Sequence, residues 1–292
     1  MFTTRLIKIR VNKYVMETDI LGADESLFIN PGILEQDYLP RLLAYRENEH
    51  SYLADCIKPL FQGRNGTNLL VSGSPGIGKT ACAKFILRKL REETEMVSVY
   101  VNCWKRDSSF KIVNNIAEQL DIRIPDKKGM DELFDIVLKK LNKESGAVFV
   151  FDEFDKVQDY SFLYRVLEDI SLKTIFILTN NTEFVASLDK RLMSRLSLER
   201  LEFKAYSFEE TRGILNDRQK EAFVPNVWVY EALEKVIKKT FELKDLRAGL
   251  SIMKKAGEIA ENRASRKIEE RDADEAIGKI NDIYGKGSLK DF

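Results

Sequence analysis

Residues 73 to 80 read GSPGIGKT, a glycine-rich octapeptide of the form G-x-x-x-x-G-K-[ST], and its residue types point to one chemistry, the holding of a nucleotide's phosphates. Glycine at 73, 76 and 78 lets the backbone approach an anion closely, so that successive amides and a helix N-terminus can point at it. Lys79 would reach the β- and γ-phosphates, and the Thr80 hydroxyl would ligate Mg²⁺. The flanks agree with this order. Asn68 to Ser72 is a short, largely apolar run suited to a buried parallel strand, and Cys82, Ala83, Ile86, Leu87 and Leu90 recur after the loop at helical spacing.

Two further groups of polar residues end apolar runs. Val148 to Phe151 leads into Asp152 and Glu153. In open parallel sheets ligands sit beyond the carboxyl ends of the strands, so this pair is expected beside the phosphate loop. There Asp152 would hold the Mg²⁺ shell and Glu153 would polarise water for attack on the γ-phosphate. Ile175 to Leu178 delivers Thr179, Asn180 and Asn181 to the same edge, where a polar side chain can orient the attacking water.

The elements that must position these groups follow from periodicity. Strand candidates are Asn68 to Ser72, Val97 to Val101, Val148 to Phe151, Ile175 to Thr179 and Leu198 to Phe203, separated by helical stretches. This pattern predicts an α/β fold with a five-stranded parallel sheet covered on both faces. Ser207 to Glu210 is a capping box that opens a run of helices reaching to about Tyr284. Residues 5 to 11, RLIKIRV, alternate charged and apolar, as in an edge strand or a basic arm in which Arg5, Lys8, Arg10 and Lys13 could touch phosphate. The expected division is an N-terminal arm or strand over 1–30, an α/β domain over 31–205 and a helical domain over 206–292.

Composition narrows the chemistry. The 292 residues carry 47 basic and 47 acidic side chains, so net charge argues neither for nor against a nucleic-acid partner. His50 is the only histidine, which disfavours a zinc site or a Ser-His-Asp triad. Cys56, Cys82 and Cys103 show no metal-ligand spacing and fit a reducing compartment. No apolar run is long enough to span a membrane, and the N-terminus lacks a signal-peptide core.

At this point the chain resembles the AAA+ ATPases, and among them the replication-initiator group of archaeal and eukaryotic origin recognition complex subunits and the cell-division-cycle helicase loader. The residues that carry the resemblance begin with Leu39-Pro40, Arg46-Glu47, the phosphate loop, Asn102-Cys103 and Asp152-Glu153-Phe154-Asp155. They continue through Thr179-Asn180-Asn181, Arg191, Ser194-Arg195-Leu196, the RQKEAF of 218–223, Asp245-Leu246-Arg247 and the AGEIA of 256–260. The resemblance implies an ATPase domain followed by a helical lid. It implies nucleotide contacts from Pro40, Gly73, Ser74, Pro75, Gly76, Ile77, Gly78, Lys79, Thr80 and Ala81, with Asp152. It gives Arg247 the role of a lid arginine reaching the γ-phosphate, and Arg195, or in competition with it Arg191, that of an arginine acting on a neighbouring subunit's nucleotide. ATP or ADP and Mg²⁺ are the implied ligands. DNA and other initiator or helicase subunits are the implied partners, with homo- or hetero-oligomers on ATP and no membrane. The location would be cytoplasmic at the nucleoid in a prokaryote or archaeon, and nuclear in a eukaryote.

Initiators of this group usually carry a winged-helix domain after the lid, and no such segment is expected before Phe292. What remains for DNA is the segment after the second strand, where Trp104, Lys105, Arg106, Phe110 and Lys111 form a basic and aromatic cluster able to contact phosphates and sugars weakly and with little sequence preference. The alternatives are another AAA+ machine such as a clamp-loader subunit, which typically has Ser-Arg-Cys where this chain has Ser194-Arg195-Leu196, and a nucleotide-locked binding module that does not turn over.

Overall fold

The computed structural model describes residues 26–123 and 129–286. The expected basic arm or strand with Arg5, Lys8, Arg10 and Lys13 lies outside the described residues.

Five strands form one parallel sheet: β1 (Leu69–Ser72), β2 (Val97–Asn102), β3 (Ala147–Asp152), β4 (Lys173–Thr179) and β5 (Glu199–Glu202), in the order β2-β3-β4-β1-β5. The strands β3 and β4 lie inside the sheet and are buried along their whole length, as expected of a sheet covered on both faces. The period of two then sorts their side chains. Val148, Val150, Phe176 and Leu178 face α1 (Glu47–Ile57) and α2 (Lys79–Glu93), whereas Phe149, Phe151, Ile175 and Ile177 face α3 (Ser109–Gln119), α4 (Met130–Leu141) and α5 (Ser161–Asp169). The short α6 (Lys190–Leu196) closes the latter side through Leu192 and Leu196. Truncating a buried phenylalanine such as Phe149 or Phe151 to alanine would cost about 3–5 kcal/mol.

The lid is α7 (Phe208–Ala222), α8 (Tyr230–Leu243), α9 (Leu246–Asn262) and α10 (Glu270–Lys286). The capping box at its entrance is present: Ser207 Oγ accepts from Glu210 N at 3.2 Å and Glu210 Oε2 accepts from Ser207 N at 2.7 Å. The lid core also takes in Leu27, Ile33 and Leu34. Ile29 N donates to Ala222 O (2.9 Å) and Val224 N to Leu27 O (2.9 Å). The chain therefore starts its described course on the lid, runs past the sheet domain's mouth at residues 39–44, and enters α1, so that two chain segments connect the domains.

Candidate functional site

The carboxyl ends of β1, β3 and β4 open on one cavity of about 600 Å³, roofed by the lid. The phosphate loop leaves β1 through Gly73 and reaches α2 at Lys79. Gly76 and Gly78 have φ of +71° and +95°, a region costly for other residues. A Cβ on Gly78 would stand 2.7 Å from the Tyr206 hydroxyl, and one on Gly76 would stand 1.8 Å from Asp245 Oδ1. Nothing larger than glycine fits either place.

Lys79, 7% exposed, donates from Nζ to Gly73 O (2.7 Å), Ser74 O (2.8 Å) and Asn180 Oδ1 (2.6 Å). Burial, only partly offset by the Asp152 and Glu153 charges, lowers its pKa from 10.5 to about 8. Thr80 Oγ1 donates to Asp152 Oδ2 at 2.6 Å. Glu153 follows with φ +54°, the left-handed region, and this turn swings its carboxylate out of the strand toward the cavity. Such strain costs about 1–3 kcal/mol and is held in place here by the buried Phe154. Burial, and then the neighbouring Asp152 and Asp155, raise the Glu153 pKa. Asn180 Nδ2 donates to Glu153 Oε2 at 2.9 Å.

The sequence-derived residues divide clearly. Pro40, Pro75, Gly76, Gly78, Lys79, Thr80, Ala81, Glu153, Asn180 and Arg247 line the cavity. Gly73 and Ser74 enter through their carbonyls on Lys79, and Asp152 lies behind Thr80. Ile77 is buried in the core beneath the loop, 1% exposed. Arg247 comes from the lid, with its guanidinium paired to Asp245 at 3.0 Å. Arg191 and Arg195 do not line the cavity; both are exposed on α6, and Arg195 is paired with Glu168 of α5.

The basic and aromatic cluster sits at the end of β2 and the start of α3. Trp104 (52% exposed) and Phe110 (47%) project from the surface, so they are not part of the core. Lys105 is exposed, Arg106 is half-buried, Lys111 pairs with Asp107 at 2.7 Å, and Lys156 Nζ lies 5.1 Å from the Trp104 ring centroid.

Three contributors were not legible as such in the sequence. Arg46, 4% exposed, donates from Nη2 to Ile77 O (2.9 Å) and Lys204 O (2.8 Å), and its Cζ stands 3.8 Å from the Tyr206 ring centroid. It thus ties the phosphate loop to the connector that leads into α7. Tyr100 OH donates to Asp152 Oδ2 at 2.7 Å. Its signal was the period of two in β2, which puts it on the same face as Asn102, two residues short of the strand end. Leu246 N donates to Gly76 O at 3.2 Å, joining lid and loop through backbone alone, and no side-chain pattern reports such a bond.

The donor set suits a magnesium-nucleotide complex. Among the described residues no cluster of three or more His, Cys, Asp or Glu side chains is arranged to hold a metal. A cation here would draw on one hydroxyl, one carboxylate and phosphate oxygens, the hard ligands Mg²⁺ prefers. Among the described residues no helix is long and apolar enough to cross a membrane.

Comparison with known proteins places the chain among relatives. The family described as AAA domain matches residues 63–185, and the Cdc6 AAA+ ATPase-type lid domain matches residues 212–278. The ORC1-type DNA replication protein 1 of Aeropyrum pernix is 31% identical over 272 residues, covering 87% of this chain and 69% of that protein. The ORC1-type DNA replication protein 2 of Methanothermobacter thermautotrophicus is 29% identical over 289 residues, covering 94% and 76%. The structure of the Aeropyrum pernix ORC1 protein in complex with DNA superposes with a TM-score of 0.79 at 28% identity, over 88% of this chain and 71% of that one. The overall fold is thus shared with the superposed protein, and the chain belongs to the ORC1-type DNA replication proteins of the AAA+ ATPase superfamily.

Proposed function

We propose that this chain binds ATP and ADP with Mg²⁺ in the cavity between phosphate loop and lid and hydrolyses ATP slowly when alone. Its nucleotide state would control its hold on DNA and its assembly with other initiator or helicase subunits. The observation that carries this reading is the convergence of Lys79, Glu153 and Asn180, bonded in series, with Arg247 of the lid on one cavity.

Each side chain has a distinct task in this reading. The Lys79 ammonium neutralises the β- and γ-phosphates, and the phosphate-loop amides hold them. Thr80 and Asp152 hold the cation, which when bound supplies charge neutralisation to the transferring phosphoryl group. Glu153, its pKa raised by burial, accepts a proton from the attacking water, and Asn180 orients that water. Arg247 reads the nucleotide from the lid. Because Leu246 is bonded to Gly76, a shift of the phosphate loop is transmitted to α9 without an intermediary.

The DNA part of the proposal draws on the relative solved with DNA and on the exposed Trp104, Lys105 and Arg106. Arg195 is proposed to act in trans on a neighbouring chain. The test is nucleotide binding and multiple-turnover hydrolysis, with and without duplex DNA, in the parent, Lys79→Ala and Glu153→Gln. Lys79→Ala should lose tight binding, whereas Glu153→Gln should bind ATP and fail to cleave it. Equal binding and equal turnover in all three would remove the assignment.

A further inference from the structure

We propose that Tyr100 is a positioning residue for the metal: its hydroxyl fixes the Asp152 carboxylate in the orientation a divalent cation needs, and so sets how tightly Mg²⁺ is held with the nucleotide. The inference rests on the reading of the cavity as a magnesium-nucleotide site and adds to it a residue from outside the nucleotide motifs.

Asp152 is 3% exposed and its carboxylate accepts three hydrogen bonds. Glu153 N donates to Oδ1 at 3.0 Å, while Thr80 Oγ1 and Tyr100 OH both donate to Oδ2, at 2.6 and 2.7 Å. A carboxylate on its own turns in a broad, shallow well about its last torsion. An amide on one oxygen and two hydroxyls on the other define its plane. Two of the three donors come from the motifs themselves, Thr80 next to Lys79 and the amide of Glu153. Tyr100 is the one supplied by a separate strand, β2.

The strand that carries Tyr100 is an edge of the sheet, where a backbone would otherwise be poorly fixed. Here a side chain replaces the missing neighbour. Tyr100 N donates to Gln119 Oε1 at 3.1 Å, and Gln119 Nε2 donates back to Tyr100 O at 2.9 Å, so one amide group satisfies both outward backbone groups as a paired strand would. Gln119 Nε2 also donates to Asn115 Oδ1 at 2.9 Å. On the other side the ring meets Lys84, whose Nζ is 4.7 Å from the centroid. The hydroxyl is thereby aimed at Asp152 from a backbone clamped on its open edge. Partners of this kind, behind a metal ligand, typically change metal affinity about 10- to 100-fold when removed.

The test uses Tyr100→Phe, which keeps the ring and its contact with Lys84 and removes one donor. Binding of a fluorescent ADP is measured in EDTA and then across a Mg²⁺ titration, in the full chain. The expected result is unchanged affinity in EDTA and a Mg²⁺ midpoint raised about tenfold or more. Gln119→Met, which leaves the hydroxyl present and loosens the backbone beneath it, should raise the midpoint by less. A Mg²⁺ midpoint equal to the parent's in both variants overturns the proposal. So does an equal loss of affinity with and without Mg²⁺, because that would make Tyr100 a fold-stabilising residue only. A parent that binds no nucleotide in either condition overturns the reading of the cavity, and this proposal with it.

Discussion

Lys79 Nζ donates to Asn180 Oδ1 at 2.6 Å, and through the same amide Asn180 reaches Glu153 Oε2 at 2.9 Å. One side chain at the end of β4 therefore sets the spacing between the cation expected on the phosphates and the base expected on the water. Asn180→Ala should leave ADP affinity nearly intact and lower turnover by about 10²-fold, the usual loss for a preorganised polar group at a reacting centre. Asn180→Asp should be worse, since a further carboxylate beside Asp152, Glu153 and Asp155 pushes the Glu153 pKa further up. Single-turnover hydrolysis with separately measured affinity checks this, and turnover equal to the parent's in Asn180→Ala would exclude the positioning role.

The buried ammonium predicts a pH dependence. Lys79 has a folded pKa of about 8 against 10.5 as a free side chain. Between those values the unfolded chain holds a proton that the folded one has released, so this group's contribution to stability rises with pH across the window. Phosphate binding runs the other way, because it needs the charged form. ADP affinity should be flat below about pH 8 and fall by up to about tenfold per unit above it, with proton uptake on binding near pH 9. Calorimetry in buffers of different ionisation heat measures that uptake. Affinity that stays level to about pH 10 would show that Lys79 keeps its ordinary pKa.

Gly76 predicts how lid and loop respond together. A Cβ there would meet Asp245 Oδ1 at 1.8 Å and the Asp245 Cα at 3.0 Å, on a backbone with φ of +71°. Gly76→Ala should cost about 1–2 kcal/mol for the left-handed conformation alone. It should also push the start of α9 away from the loop, breaking the bond from Leu246 N to Gly76 O. Faster proteolysis between β5 and α7, with weakened ADP binding, is the expected signature. Unchanged proteolysis and binding would mean that lid and loop are not coupled through this contact.

How much of this was legible beforehand depended on where the information lies. The phosphate loop, the acids at the end of β3 and Asn180 were readable because motif spacing and strand ends place them with no knowledge of packing. Strand bounds were read to within two residues, since uninterrupted apolar runs such as Val148 to Phe151 admit little else. Arg46, Tyr100 and Leu246 were not readable as partners of the site. The period of two puts Tyr100 on the face of Asn102 without naming Asp152 as its partner, and the bonds of Arg46 to carbonyls and of Leu246 through its amide leave no pattern along the chain. The packing of Leu27, Ile33 and Leu34 into the lid core was hidden for a related reason, because a contact between chain ends has no period.

The surface around Trp104 predicts weak, salt-sensitive DNA binding. The exposed Trp104 lies against Lys156 and Lys105 is exposed, while Lys111 is already paired with Asp107. Contacts made mostly to phosphate should give little sequence preference and a steep fall in affinity with salt. Replacing Lys105 and Arg106 together by alanine should reduce the salt slope by up to about two, whereas Lys111→Ala should matter less. Fluorescence anisotropy with a duplex across a salt series measures both. The same slope and affinity in the double variant would take this segment out of the interface.

The last prediction concerns Arg195. It lies on α6, away from its own cavity, and its partner is the exposed Glu168 of α5. A pair this exposed is worth at most about 1 kcal/mol, so the guanidinium can be drawn to a phosphate of a neighbouring chain at small cost. An arginine supplied in trans is worth about 10³ to 10⁵ in rate in phosphoryl transfer. Hydrolysis per chain should therefore rise with protein concentration or with added partner subunit. Arg195→Ala should keep ADP affinity and lose that rise. Glu168→Ala, which frees the arginine, should keep or enhance it, and Arg191→Ala separates the neighbouring candidate. Mixing Arg195→Ala with Glu153→Gln lets each chain supply what the other lacks, so a mixture more active than either variant alone is the expected outcome. A concentration-independent rate in the parent, together with no rescue on mixing, would leave Arg195 as a surface residue paired with Glu168.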